Sequence, residues 1–180
     1  MNSVKAALLG VKHPHSRAHL RTLQMLPEVE SIYLWDESES ALQSVVAEEG
    51  EKVDATYTDL DSLLARDDLF CAIAATRNDL GPAIFTQVLE AGKHLLAEKP
   101  LGKHAADAER ILTCAKRTGT TLGVCYQNRA NPVLQDAKAL VGQGLLGPLM
   151  SVEIRMITTQ VQFRNPTHWL FNHEYSGGGM

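Results

Sequence analysis

Short apolar runs alternate with amphipathic segments along the first 125 residues. The runs predict strands over 4–9, 31–35, 55–57, 70–75, 94–97 and 121–126. Between them, apolar residues recur at the spacing of a helix face over segments of about 10–15 residues. Such alternation is typical of βαβ units, with a parallel sheet and helices on both of its faces. Residues 1–125 are therefore predicted to form an α/β domain of the doubly wound, Rossmann-like kind.

The pattern changes after residue 125. A helix is predicted over 132–142, and 149–159 then alternates apolar and partly polar positions. A period of two predicts a strand with one solvated face, which is typical of antiparallel sheets. Residues 160–180 resemble a loop. Because a lone strand cannot bury its apolar face, residues 126–180 are interpreted as a linker helix and the first strand of a truncated α+β second domain.

Composition narrows the classes of partner. With a formal net charge of −4 over 180 residues, neither nucleic acid nor an acidic membrane surface is an expected partner. No apolar run approaches the roughly 20 residues of a transmembrane helix, and the N-terminus lacks the pattern of a signal peptide. The three cysteines (Cys71, Cys114 and Cys125) are dispersed and lie in apolar or helical patterns. We expect them to be reduced, in a cytoplasmic protein without a zinc site.

The turn after the first predicted strand begins at Gly10. A dinucleotide fingerprint would place glycines at 10, 12 and 15, but Lys12 and His15 occupy the last two positions. Gly10 still permits a tight turn, and Ser16 is expected to cap the following helix, whose first N–H groups would then face a pyrophosphate. Lys12 or His13 would add positive charge there. A plain strand-to-helix turn explains the same residues equally well.

Asp36 ends the second predicted strand, 21 residues after position 15. This spacing matches the acid that binds the adenosine ribose hydroxyls, expected about 20 residues past the fingerprint. Glu37 follows, and no Arg or Lys lies within several residues. A 2′-phosphate would therefore meet two carboxylates, which favours NAD over NADP. A capping role for Asp36, together with Ser38, is compatible with this assignment.

Three histidines near the first turn raise the question of a metal site. His15 and His19 could share a helix face, with His13 close by, but no carboxylate or cysteine lies nearby in sequence to complete three or four ligands. We therefore predict no metal, and histidines that face phosphate or solvent.

Further polar residues follow the fourth, fifth and sixth predicted strands. Thr76 and Asn78 would bind the cofactor or cap the next helix, with Asp79 the expected cap, and Arg129 would hold a ligand or brace the site. Glu98, Lys99 and Pro100 end the fifth strand. Pro100 biases Lys99 out of helical geometry, at the sheet edge where ligands of such folds bind. A charged turn before a helix is the simpler alternative.

Taken together, these residues resemble the Gfo/Idh/MocA family of oxidoreductases (glucose-fructose oxidoreductase and inositol dehydrogenase). The resemblance runs from residue 4 to the end and is carried by Gly10, Asp36, Gly92-Lys93-His94, Ala97-Glu98-Lys99-Pro100-Leu101, Arg129, Gly147-Pro148-Leu149, Trp169 and Ser176-Gly177-Gly178-Gly179.

The resemblance implies a two-domain NAD(P)-dependent enzyme that transfers hydride to or from a sugar, polyol or similar alcohol. Residues 126–180 would then begin its domain for substrate binding or oligomerisation. It makes Lys99 the catalytic residue that hydrogen-bonds the reacting oxygen, beside a Lys99–Pro100 bond that is often cis, and Glu98 a residue that helps to hold the cofactor. Arg77 replaces a common proline, and Gly81 replaces a frequent histidine.

The family's proton-transferring histidine follows the Gly-Gly-Gly run and is absent from these 180 residues. A catalytically silent NAD-binding or regulatory module is therefore the alternative function. With part of a second domain missing, Trp169, Phe171 and one face of the last strand are expected to be exposed and to promote homo-oligomers.

Overall fold

The computed structural model describes residues 3–155, 157, 162 and 164–178. They form two compact units, one of Met1–Val124 with Trp169–Met180 and the other of Cys125–His168. Among the described helices, none combines the length and the apolar character that a membrane crossing requires.

The first unit alternates strands and helices as predicted. Its elements, in chain order, are β1 (Val4–Leu9), α1 (Ser16–Met25), β2 (Val29–Trp35), α2 (Glu39–Glu49), β3 (Val53–Tyr57), α3 (Leu60–Leu64), β4 (Leu69–Ala74), α4 (Gly81–Glu90), β5 (His94–Ala97), α5 (Ala105–Thr118) and β6 (Leu122–Val124).

The six strands form one parallel sheet in the order β3-β2-β1-β4-β5-β6. This order is that of a doubly wound Rossmann fold, in which the direction of winding reverses between β1 and β4. The predicted fold class is confirmed. The carboxyl ends of β1 and β4 lie side by side at the reversal, where ligands of open α/β sheets bind.

Both faces of the sheet are buried. Alternate residues of β1 enter different cores: Ala7 and Leu9 pack with α4 and α5, whereas Ala6 and Leu8 pack with α1 and α2. The alternation follows from the two-residue period of a strand. A parallel strand covered on both faces is apolar throughout, which is why β1 and β4 were visible in the sequence as continuous apolar runs.

The second unit contains a 3-10 helix, Gln127–Ala130, and α6 (Pro132–Gly142). The predicted strand over 149–159 differs from the structure: residues 149–155 and 157 form no strand, and the other positions lie outside the described residues. A strand needs a hydrogen-bonded neighbour and a covering layer, and the apolar pattern supplies neither. The assignment of this region to a second domain stays a prediction.

The segment from residue 169 is not a plain loop. It contains a second 3-10 helix, Trp169–Phe171, and α7 (His173–Ser176), and it groups with the first unit. Trp169 and Phe171 are half-buried, so the expectation that both are exposed is wrong. The ring of Trp169 lies 6.1 Å from that of His13, 156 positions earlier in the chain, and a local sequence pattern does not reveal such a partner.

Candidate functional site

The polar residues predicted at strand ends follow β1, β2, β4 and β5, whose carboxyl ends share one edge of the sheet. Gly10 follows β1, Asp36 follows β2, Thr76 follows β4 and Glu98 follows β5. Arg129 lies in the 3-10 helix of the second unit and is exposed, so its assignment to this edge stays a prediction.

Gly10 makes a turn that only glycine fits. Its φ is +87°, and a Cβ at this position would overlap the carbonyl oxygen of Ala75. Its N–H donates to the carbonyl of Trp35 (2.8 Å). The buried Ser16 hydroxyl donates to the Gly10 carbonyl (2.5 Å). The predicted cap at Ser16 is therefore wrong: the cap position is His15, and Ser16 is the first residue of α1, fastening the turn instead.

Asp36 is buried and holds the same turn from the other side. Its Oδ2 accepts from the Val11 N–H (3.0 Å), and its Oδ1 accepts from the Ser38 N–H (3.0 Å). The ammonium of Lys12 lies 3.0 Å from Oδ1. Lys12 thus contacts the acid that the spacing predicts for the ribose. The sequence did not reveal this contact because 24 residues separate the two positions.

Glu98 is held by two histidines. His15 Nδ1 lies 2.9 Å and His19 Nε2 lies 2.7 Å from Glu98 Oε1, and the N–H of Lys99 donates to Oε2 (3.2 Å). Burial alone would raise the pKa of Glu98, but the hydrogen bonds from His19 and His15 outweigh it and lower the pKa to about 2. Because an ionised carboxylate only accepts hydrogen bonds, the Nδ1 of His15 and the Nε2 of His19 each carry a proton.

The expectation that His15 and His19 face phosphate or solvent is therefore wrong in part. The His19 side chain is only 12 % exposed and donates to Glu98. The sequence hid this pair, since 79 positions separate His19 from Glu98. The local feature of the sequence that points to Glu98 is the apolar run that ends in it.

His13 is the most perturbed histidine of the described residues. Burial and the charge of His15 lower its pKa to about 4. Its Nδ1 accepts from the backbone N–H of His15 (3.2 Å), and its ring centroid lies 6.1 Å from that of Trp169. His13 is thus neutral at pH 7 and does not add the positive charge considered for it. It retains one N–H, on Nε2, to donate.

Thr76 lies where the strand order reverses between β1 and β4, and its hydroxyl group is shielded from solvent. Its Oγ1 is buried and, among the described residues, has no hydrogen-bond partner. Its methyl group lies beside Gly10. A shielded hydroxyl without a partner destabilises the fold unless a ligand or water bonds it. Gly10, Asp36 and Thr76 therefore fit a dinucleotide, with a tight backbone turn, a ribose acceptor and a free hydroxyl together.

Asn78 and Asp79 do not cap α4, contrary to one interpretation of Asn78 and to the expected role of Asp79. The amide of Asn78 donates to the Ser176 carbonyl of the C-terminal segment (2.8 Å). Asp79 pairs instead with Arg77 through two bonds of 2.8 and 3.0 Å. The cap position is Leu80, without a side-chain bond.

Lys99 is exposed at the end of β5, next to the anchored Glu98. No described residue makes a hydrogen bond or an ion pair with its ammonium. The Lys99–Pro100 bond is cis, as the resemblance implies. The turn therefore offers a free ammonium on a backbone that a buried carboxylate fixes.

Known proteins share this fold and parts of this sequence. A D-xylose dehydrogenase of Paenarthrobacter nicotinovorans is 29% identical over 73% of this chain and 35% of its own length. An uncharacterised oxidoreductase of Schizosaccharomyces pombe is 27% identical over 85% of this chain and 42% of its own. The WlbA dehydrogenase from Bordetella pertussis, solved with NADH and UDP-GlcNAcA, is 28% identical, with a TM-score of 0.73 over 81% of this chain and 41% of that chain.

The chain thus spans about two-fifths of the length of these relatives. The model of the GFO_IDH_MocA family, described as "Oxidoreductase family, NAD-binding Rossmann fold", matches residues 4–126. With six parallel strands in Rossmann order and Lys99 at the edge where that fold binds its ligand, this chain belongs to the GFO_IDH_MocA oxidoreductase family.

Proposed function

We propose that the chain is the nucleotide-binding part of an oxidoreductase that transfers hydride between NAD(P) and a sugar- or polyol-like alcohol. The observation that carries the proposal is the free ammonium of Lys99 beside the anchored Glu98. Such a group donates a hydrogen bond to the substrate oxygen, where negative charge develops as the C–H bond breaks.

The cofactor would be held by the turn at Gly10, by Asp36 and by Thr76. Asp36 would accept from a ribose hydroxyl, and the Thr76 hydroxyl would gain the partner that it lacks. When bound, the nicotinamide supplies the hydride chemistry. Glu98 contributes differently from the expectation: its oxygens are already bonded to His15, His19 and the Lys99 N–H. We therefore assign it to positioning Lys99.

The relatives support a polyol or sugar substrate. The Paenarthrobacter protein is named a D-xylose dehydrogenase, and the Bordetella dehydrogenase was solved with a nucleotide sugar. The alternative, a silent NAD-binding module, has no support among these relatives, which are described as oxidoreductases or dehydrogenases.

Replacing Lys99 with Met tests the catalytic assignment. Removing a donor to the developing oxyanion is expected to lower turnover by about 100-fold or more. The dissociation constant for NADH, measured by fluorescence titration, should change by less than about twofold. The turnover assay uses a form of the protein that includes the rest of its substrate domain, with a panel of sugars and polyols.

The same substitution at Lys116 is the matched control. Lys116 is an exposed lysine of α5, so Lys116→Met should leave both turnover and NADH binding unchanged. Unchanged turnover in Lys99→Met would contradict the catalytic role. Failure of the unmodified chain to bind either NADH or NADPH would contradict the proposed function as a whole.

A further inference from the structure

We propose that Lys12 sets the cofactor preference of the site, by allowing it to accept the 2′-phosphate of NADP(H) as well as the free ribose of NAD(H). The inference rests on the proposed function, in which Asp36 is the ribose acceptor. It replaces the preference for NAD, which Asp36 and Glu37 indicate in the sequence alone, with acceptance of both cofactors.

The first observation is the ion pair itself. Lys12 Nζ lies 3.0 Å from Asp36 Oδ1; the Lys12 side chain is 60 % exposed and that of Asp36 only 6 %. The carboxylate is thus fixed in the fold, while the ammonium reaches it from the solvent side. Lys12 is therefore placed to contact a ligand that binds at Asp36.

The second observation is how the Asp36 carboxylate is used. It offers about four acceptor positions, and three donors occupy it: the Val11 N–H on Oδ2, and the Ser38 N–H and Lys12 on Oδ1. The two backbone donors are held by the fold. Lys12 is the one of the three that can move away on a flexible side chain.

Two outcomes at the 2′ position follow. A free ribose takes the remaining acceptor position of Asp36, and gains a second if Lys12 moves aside. A 2′-phosphate brings negative charge towards Asp36 and Glu37, which repel it, but the Lys12 ammonium is a point charge of the kind that binds phosphate. The Lys12 side chain therefore offsets the repulsion of the 2′-phosphate of NADP(H), and it moves aside for the free ribose of NAD(H).

The arginine of the loop after β4 is held by other partners. Arg77, on the loop after the neighbouring β4, forms two bonds to Asp79 and stacks 4.4 Å from the Tyr175 ring centroid. Among the described residues, Lys12 forms the only ion pair with Asp36. Arg77 also acts on Glu37 through its charge, but the ion pair places Lys12 at Asp36 itself. The contact with a 2′-phosphate should therefore depend on Lys12.

The test compares NADH and NADPH binding to the full chain and to Lys12→Met, by fluorescence titration. We expect the unmodified chain to bind the two within about tenfold of each other. Lys12→Met should weaken NADPH binding by about tenfold or more and leave NADH binding within about twofold, since a methionine resembles the unbranched aliphatic part of lysine but lacks its charge. Lys12→Gln provides a second neutral variant, and thermal melts confirm that both fold.

Two fragments isolate the 2′ group. Adenosine 2′,5′-bisphosphate and 5′-AMP lack the pyrophosphate and the nicotinamide, so Lys12→Met should weaken only the bisphosphate, as measured by calorimetry. Salt should weaken the bisphosphate more than 5′-AMP in the unmodified chain, and this difference should shrink in the variant.

Other outcomes would overturn the inference. Equal weakening of NADH and NADPH would place Lys12 on the pyrophosphate that both share. Discrimination against NADPH by more than about 100-fold in the unmodified chain would show that Asp36 and Glu37 determine the cofactor preference. If the unmodified chain binds neither cofactor, the proposed function fails and the inference with it; if it binds both and Lys12→Met changes nothing, only the inference fails.

Discussion

His13 links the candidate site to the pH dependence of folding. Its pKa is about 4 in the folded chain, because of burial first and the neighbouring His15 charge second, against an ordinary value of 6.5. Between these values the unfolded chain binds a proton that the folded chain excludes. The free energy of unfolding therefore falls as the pH falls from 6.5 towards 4.

The variant His13→Gln should lose less stability over that interval than the unmodified chain, because glutamine does not titrate. Urea unfolding at pH 7 and at pH 5 measures the difference. His173→Gln, at an exposed histidine of α7, is the control and should behave like the unmodified chain. Equal losses in His13→Gln and the unmodified chain would show that His13 is not the titrating group.

At the scale of single residues, the sequence predicts where the candidate residues lie better than it predicts which residues they contact. Gly10, Asp36 and Lys99 were found because each follows an apolar run, and the ends of parallel strands share one edge. The bonds of Lys12 to Asp36 and of His19 to Glu98 join residues 24 and 79 positions apart. Such pairs depend on strand order and helix rotation, which hydrophobic periodicity does not specify.

At the scale of elements, the turn between β1 and α1 depends on Gly10. Substitution by alanine meets two costs: the positive φ, worth about 1–2 kcal/mol for an L residue, and the overlap of Cβ with the Ala75 carbonyl. Gly10→Ala should therefore lower the melting temperature and weaken NADH binding, since the turn must shift.

Gly119, at the end of α5, provides the control for that substitution. Its φ is +70°, and a Cβ there would meet nothing within 4 Å. Gly119→Ala should cost only the backbone term and leave NADH binding unchanged. Equal destabilisation by the two substitutions would mean that the contact with Ala75 relaxes freely and that the turn is not tightly fixed.

Two elements separate what a local pattern can and cannot specify. The alternation over 149–159 predicted a strand, but strand formation depends on a partner that a local pattern does not reveal. In contrast, α7 had a local signature: Asn172 caps it by accepting from the Glu174 N–H (2.9 Å), and Gly177 ends it at φ +80°. An Asn before a helix and a Gly after it are sequence signals of helix ends. A four-residue helix is, however, too short to show the hydrophobic periodicity that predicts a helix.

The two units of the molecule differ in what stabilises them. The first has apolar cores on both faces of its sheet. In the second, none of the described residues is buried, and its apolar side chains lie in solvent; Ile157, for example, is 94 % exposed. The family relatives are more than twice as long as this chain. We propose that further substrate-domain sequence, of the length that the relatives have, covers these side chains.

The difference in burial predicts where the chain is cleaved first. Proteolysis requires local opening, which costs least where few apolar contacts are made. Brief digestion with trypsin should cut after Arg129, Lys138 or Arg155, which are exposed in the second unit, before any site between β1 and β6 in the first unit. Mass spectrometry of the early fragments identifies the sites.

Saturating NADH should protect the later cuts in the first unit and leave the early ones unchanged, because the cofactor stabilises only the folded form to which it binds. Early cleavage after Arg66, which is tied by two bonds to Asp68 just before β4, would contradict this order and place the weakest part of the molecule within the first unit.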